Sequence, residues 1–308
     1  MNTKQVVIGL RRRRVAATIF FTLGLLPAVH SQVTNVNLEA TQAAAAKGDA
    51  RAEYKLARIY EQGQGVQQDY VKAAGYLLQS ADQGYADAEV LLGSYYGRGR
   101  GVPRNLSTAV SWYRKAADQG DALAEYALGN FYATGRGVAL DITQAIPWWQ
   151  KAAAQNQVDA EAALGQLHLI PAAPYGTNYV DYPEAIHWLR LAAAQSSAGA
   201  LNNLGIAYEY AFGVKRDYAE AAKWFRAAAV LDDPRAQASL GSFYQHGWGV
   251  TNDLVQAYAW YKLSADQGNP LGANSLSDIT TLSLLSPKQQ AQAEQLVLDL
   301  KSQIKAVK

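Results

Sequence analysis

Apolar and polar positions along the chain return in phase about every 36 residues. A Leu-Gly pair stands at Leu92-Gly93, Leu128-Gly129, Leu164-Gly165, Leu204-Gly205 and Leu240-Gly241, with Leu56-Ala57 before them. The step lengthens to 40 only between Leu164 and Leu204. An aromatic follows four residues after the Leu (Tyr60, Tyr96, Tyr132, Tyr208, Tyr244), replaced by His168 in the fourth block. A later row reads Tyr76, Trp112, Trp148, Trp188, Trp224 and Trp260, each trailed by a small pair such as Ala116-Ala117. In the second block, Ala88, Leu91, Leu92, Tyr95 and Tyr96 keep helical spacing, as do Ala109, Trp112, Tyr113, Ala116 and Ala117. Each block thus predicts two antiparallel helices. One such pair cannot bury its faces alone, so stacked copies make the core. The expectation is an all-α solenoid of about six helix-turn-helix repeats over residues 49–268, with the Trp row in the core.

Between the helices of a block lies a glycine turn: "EQGQGVQQD", "GRGRGVPRN", "ATGRGVALD", "EYAFGVKRD" and "QHGWGVTND". Taken singly, the second could cradle a phosphate. Its recurrence in phase makes it punctuation, with Gly63, Gly99, Gly135 and Gly247 capping the first helix. The following Val (Val66, Val102, Val138, Val214, Val250) is expected to plug the turn onto the core.

These motifs, fullest from Ala88 to Gly120, resemble the Sel-one-like repeat family, a relative of the tetratricopeptide repeats. The resemblance implies a right-handed α-solenoid that holds other proteins, with first helices lining the concave face. On that basis the partner-binding groove is expected at Tyr54, Lys55, Arg58, Arg98, Tyr126, Asn130, Gln166, Asn202, Asn203 and Tyr210, positions that vary between copies while the frame does not. The implied partner is a protein or extended peptide.

The flanks read as caps. Residues 32–48 hold a helix closed by Gly48, and residues 269–308 hold a degenerate first helix and a last helix begun by Ser286-Pro287. Residues 1–31 read as a signal peptide. Lys4 and Arg11–Arg14 precede the apolar run Val15–Leu26, which is too short to span a bilayer, and Pro27 and Ser31 follow. A periplasmic or secreted location follows from that reading, with no stable membrane insertion after its removal.

Charge changes the picture once. The chain carries 28 Lys+Arg against 26 Asp+Glu, but five cations and no acid lie in residues 1–31. The remainder is mildly acidic, which argues against nucleic acid as the partner. There is no Cys, so neither a disulfide framework nor a thiolate metal site exists. His168, His187 and His246 fall in separate helices without metal-ligand spacing. No metal, cofactor or catalytic residue is expected. Ser302-x-x-Lys305 matches the first element of a penicillin-recognising serine enzyme, but nothing completes it.

The fourth block replaces its glycine turn with a longer stretch carrying Tyr175, Tyr179 and Tyr182, either a recognition loop or a loop folded onto the solenoid. Three functions follow: an exported non-enzymatic scaffold of the cell envelope, a binder or hydrolase of peptidoglycan or β-lactams, and a secreted factor acting on host proteins. The first fits best, because no nucleophile and base converge.

Overall fold

The computed structural model describes residues 38–171 and 178–307, and the described residues outside turns are helical throughout. Helix α1 covers residues 38–45. The first helices of the six repeats are α2 (Ala50–Gln62), α4 (Ala86–Arg98), α6 (Ala122–Thr134), α8 (Val158–Leu169), α10 (Ala198–Tyr210) and α12 (Pro234–His246). The second helices are α3 (Tyr70–Asp82), α5 (Leu106–Asp118), α7 (Ile142–Ala154), α9 (Tyr182–Ala194), α11 (Tyr218–Val230) and α13 (Leu254–Asp266). Each packs on its own partner and then on the next repeat, the arrangement of an α-solenoid. Helix α14 (Pro270–Thr281) continues the row of first helices, and α15 (Pro287–Val307) lies against α13 and α11.

Local chemistry fixes the helix ends. Every second helix starts at an Asp or Asn (Asp69, Asn105, Asp141, Asp181, Asp217, Asp253) whose side chain accepts from backbone N–H groups of the first turn. Gly63, Gly99, Gly135 and Gly247 take the left-handed cap after the first helices, and Ala211 takes it at φ 63° in the fifth copy. Ser286 opens α15 with a reciprocal box, its backbone N–H donating to Gln289 and its hydroxyl accepting from the Gln289 N–H. Val297, Leu300 and Ile304 of that helix cover Phe225 and Trp260.

The Leu of each Leu-Gly pair is fully buried, as expected. The Trp row needs correction. Trp112 and Trp260 are buried, whereas Trp148, Trp188 and Trp224 are only partly so. The residue after each Trp is the one that fills the repeat: Tyr113, Trp149, Leu189, Phe225 and Tyr261 press on the Gly of Leu-Gly. A Cβ on Gly129 would lie 2.4 Å from the Trp149 ring, so that position has room only for hydrogen. Of the turn valines, Val102, Val214 and Val250 pack on core clusters.

A polar ladder runs through the same interior. Gln83 donates to Glu53, Gln119 to Glu89, Gln155 to Glu125 and Gln195 to Glu161, at 2.7–2.9 Å. Gln267 donates to Gln237 in the sixth copy. The fifth copy substitutes both members at once, with Leu201 and Leu231 joining an apolar cluster. Burial holds all four carboxyls above their ordinary value, partly offset by the amide each accepts from.

Adjacent copies also meet at the turns. A Cβ on Gly101 would fall 2.0 Å from the Tyr70 carbonyl oxygen of the preceding repeat, and one on Gly249 would fall 2.2 Å from that of Tyr218. The residue before that glycine stacks on the same helix start. Arg100 lies 4.8 Å over the Tyr70 ring, Phe212 stacks on Tyr182 at 5.1 Å, and Trp248 stacks on Tyr218 at 5.9 Å. In the third repeat Gly137 meets Leu106 at that place, so no ring is there for Arg136 to stack on.

Candidate functional site

The first helices of repeats one to three enclose a groove of about 780 Å³. Tyr54 and Arg58 reach it from α2, Val90, Ser94 and Arg98 from α4, and Leu123, Tyr126 and Asn130 from α6. Tyr113 of α5 rises between them as part of the floor.

Several of the groove's polar groups are oriented by neighbours. The indole N–H of Trp149 donates to Asn130 Oδ1 at 3.2 Å, which turns the Asn130 amide N–H towards the Tyr126 hydroxyl. Burial raises the Tyr54, Tyr113 and Tyr126 hydroxyls above their ordinary value of 10.0, so they stay neutral donors at physiological pH. Arg58 pairs with Glu61 at 3.0 Å, and Arg100 shares the same carboxylate at 3.3 Å. The side chains of Arg98 and Arg136 make no ion pair or hydrogen bond among the described residues, and both are exposed.

The groove therefore gathers Tyr54, Arg58, Arg98, Tyr126 and Asn130 of the expected set. The others lie elsewhere. Lys55 borders a separate shallow recess with Ala40, Ala44 and Arg51. Gln166 is exposed outside the groove. Tyr210 stands at the turn edge, stacked with Phe212 at 5.8 Å. Asn202 and Asn203 are corrected outright, being 2% and 5% exposed. Helix α10 packs directly on α8 there, and the small Ala162 and Asn202 occupy the positions that Tyr54 and Tyr126 fill earlier.

Of the fourth-block tyrosines, Tyr175 lies outside the described residues. Tyr179 packs against the third-repeat core, and its carbonyl meets His168 Nδ1 at 2.8 Å. Tyr182 begins α9 and carries Phe212. Both are held by the solenoid. Arg136, Tyr113 and Leu123 join the groove without having been expected. For Arg136 the signal was available, since it follows directly on a capping glycine in a turn whose neighbour below is Leu106 and not Tyr.

No group of His, Cys, Asp and Glu among the described residues is arranged to hold a metal ion. No helix among them is long and apolar enough to cross a membrane.

Comparison with known proteins agrees with this architecture. The chain is 33% identical to a protective antigen of uropathogenic Escherichia coli strains that displays an SLR fold, with a TM-score of 0.80. That match covers 88% of this chain and 57% of the other, so the chain spans little more than half of that relative. It is 31% identical to a Sel1 repeat protein from Oxalobacter formigenes, with a TM-score of 0.68, over 79% of this chain and 95% of that one. Curated proteins give no match. The Sel1 repeat model fits residues 50–85, 86–121, 122–157, 158–197, 198–233 and 234–269, and the chain belongs to the Sel1 repeat family.

Proposed function

We propose that this chain is an exported, non-enzymatic scaffold of the bacterial cell envelope whose groove over repeats one to three holds a segment of a partner protein. The observation that carries the reading is the groove itself, where side chains that differ between copies converge on a floor built by the repeat frame. Neutral tyrosine hydroxyls and the Asn130 amide suit a polypeptide backbone, and the ring faces suit its side chains. Export rests on the charge and apolar order of residues 1–31.

A photo-crosslinking residue at Leu123, exposed in the groove, tests the site against one at Leu191, exposed on α9. The partner should crosslink from position 123 and not from 191. Crosslinking only from 191, or only from Tyr179 and Tyr182, would place binding elsewhere. Cell fractionation with amino-terminal sequencing tests export, with the expected mature chain starting near Gln32. Purified protein is expected to leave nitrocefin and cell-wall fragments intact. A turnover rate abolished by one point substitution would overturn that reading.

A further inference from the structure

The groove is electrically polarised across its width. Asp87 lies in the first turn of α4 and Asp121 caps α6, while Arg98 ends α4 and Arg136 follows α6. Helices α4 and α6 have 13 residues each, so the acidic and cationic rims stand about 20 Å apart at 1.5 Å per residue. The acids already have work. Asp121 accepts the Ala124 N–H at 2.8 Å, and Asp87 lies against the Tyr85 hydroxyl. These cations differ from Arg58 and from Arg100, the counterpart of Arg136 one repeat earlier. Arg58 and Arg100 are neutralised by one buried-side carboxylate, Glu61, whereas Arg98 and Arg136 face no acid among the described residues. Two unpaired guanidiniums lining one groove with Tyr113 and Tyr126 are unusual on a body with fewer cations than acids beyond residue 31.

We infer that the groove selects an acidic partner segment. This rests on the groove being the binding site. An extended segment crossing the first helices would turn alternate side chains to one side, so carboxylates at every second residue face Arg98 and Arg136 while the intervening side chains lie on Tyr113 and Tyr126. Guanidiniums suit carboxylates through paired N–H donors, and their lack of an internal partner means no ion pair must break first. The occupant is thus an acidic, aromatic-bearing stretch of polypeptide, not a basic one.

The test uses fluorescein-labelled, C-terminally amidated octapeptides, four repeats of Glu-Tyr, Gln-Tyr or Lys-Tyr, titrated with the purified chain by anisotropy. The Glu peptide should bind about tenfold or more tightly than the others, and sodium chloride should weaken it. The preference should vanish in the double variant Arg98→Glu with Arg136→Glu, and in the milder Arg98→Gln with Arg136→Gln, each checked for unchanged helical signal. It should persist in Arg216→Glu, an exposed arginine outside the groove. Equal binding of all three peptides, binding of none, or a Glu preference that survives both double variants would overturn the inference. The crosslink from Leu123 reports on the groove independently of these charges, so a failure of acid selection is distinguishable from a failure of the site.

Discussion

The first three repeats and the last three share one frame and differ in how wide it opens. Two residues before the framing Leu, the first three carry Tyr54, Val90 and Tyr126, and the last three carry Ala162, Asn202 and Ala238. Large side chains stand as walls and leave space between them. Small ones let α8 and α10 close on each other, and Asn202 and Ala238 disappear from solvent. The turn residues change with them, from Gln64, Arg100 and Arg136 to Phe212 and Trp248. One end of the solenoid leaves an open groove and the other closes on itself. A position that looks free to vary is free only where its neighbours stand back.

The largest effect should show that the frame is common to both ends. Leu128→Ala and Leu204→Ala each remove a fully buried side chain and are expected to cost about 2–5 kcal/mol by denaturant titration. A large loss at one and almost none at the other would mean the ends do not share a core.

Wall residues should then separate the ends. Asn202→Tyr forces a ring into a closed position and should cost about 1–3 kcal/mol. Val90→Tyr, in the open groove, should cost less than about 1 kcal/mol, since the ring has solvent to enter. Equal costs in thermal melts would break the comparison.

The polar ladder offers a third distinction. Burial lifts Glu125 above its ordinary 4.5, so the folded chain binds that proton more tightly than the unfolded chain does. Its contribution to stability is fullest below the unfolded value and is lost as pH rises through the folded one. Glu125→Gln mimics the Gln237–Gln267 pair of the sixth repeat. It should raise stability relative to the parent at pH 7 and lose that advantage towards pH 4. The same gain at both values would mean the carboxyl is not shifted. Smallest of all, Arg98→Ala should change stability by under about 0.5 kcal/mol, as expected of an exposed side chain without a partner.

Much of the fold could be read in advance because periodicity reports it directly. The Leu-Gly register and the capping glycines each state a local requirement. Depth was harder. Trp148 and Trp149 both sit on an apolar face, and only the close approach of Gly129 decides which fills the repeat. The Glu125–Gln155 pair joins residues 30 apart and looks like two surface polar residues until the helices close over it. Asn202 and Asn203 misled for a related reason. Their exposure depends on how near α8 comes, a property of two helices that neither stretch of sequence carries alone. Within the groove, Tyr54, Arg58, Arg98, Tyr126 and Asn130 were legible because they vary on a constant frame. Arg136 was missed because it belongs to a turn, although its place after a capping glycine and opposite Leu106 carried the signal.

The stacking of each turn on the repeat before it bears on folding fidelity. Six units of similar length and similar core could dock on the wrong neighbour, and their apolar faces would scarcely object. The matched pairs do discriminate: Arg100 needs the Tyr70 ring, and Phe212 and Trp248 lie flat on Tyr182 and Tyr218. A copy that skipped a place would set Arg100 against nothing, or Trp248 against a start that already carries Phe212. Such contacts favour each turn's own neighbour over a misplaced one, and at Arg136, where no ring stands opposite, the guanidinium is left in the groove.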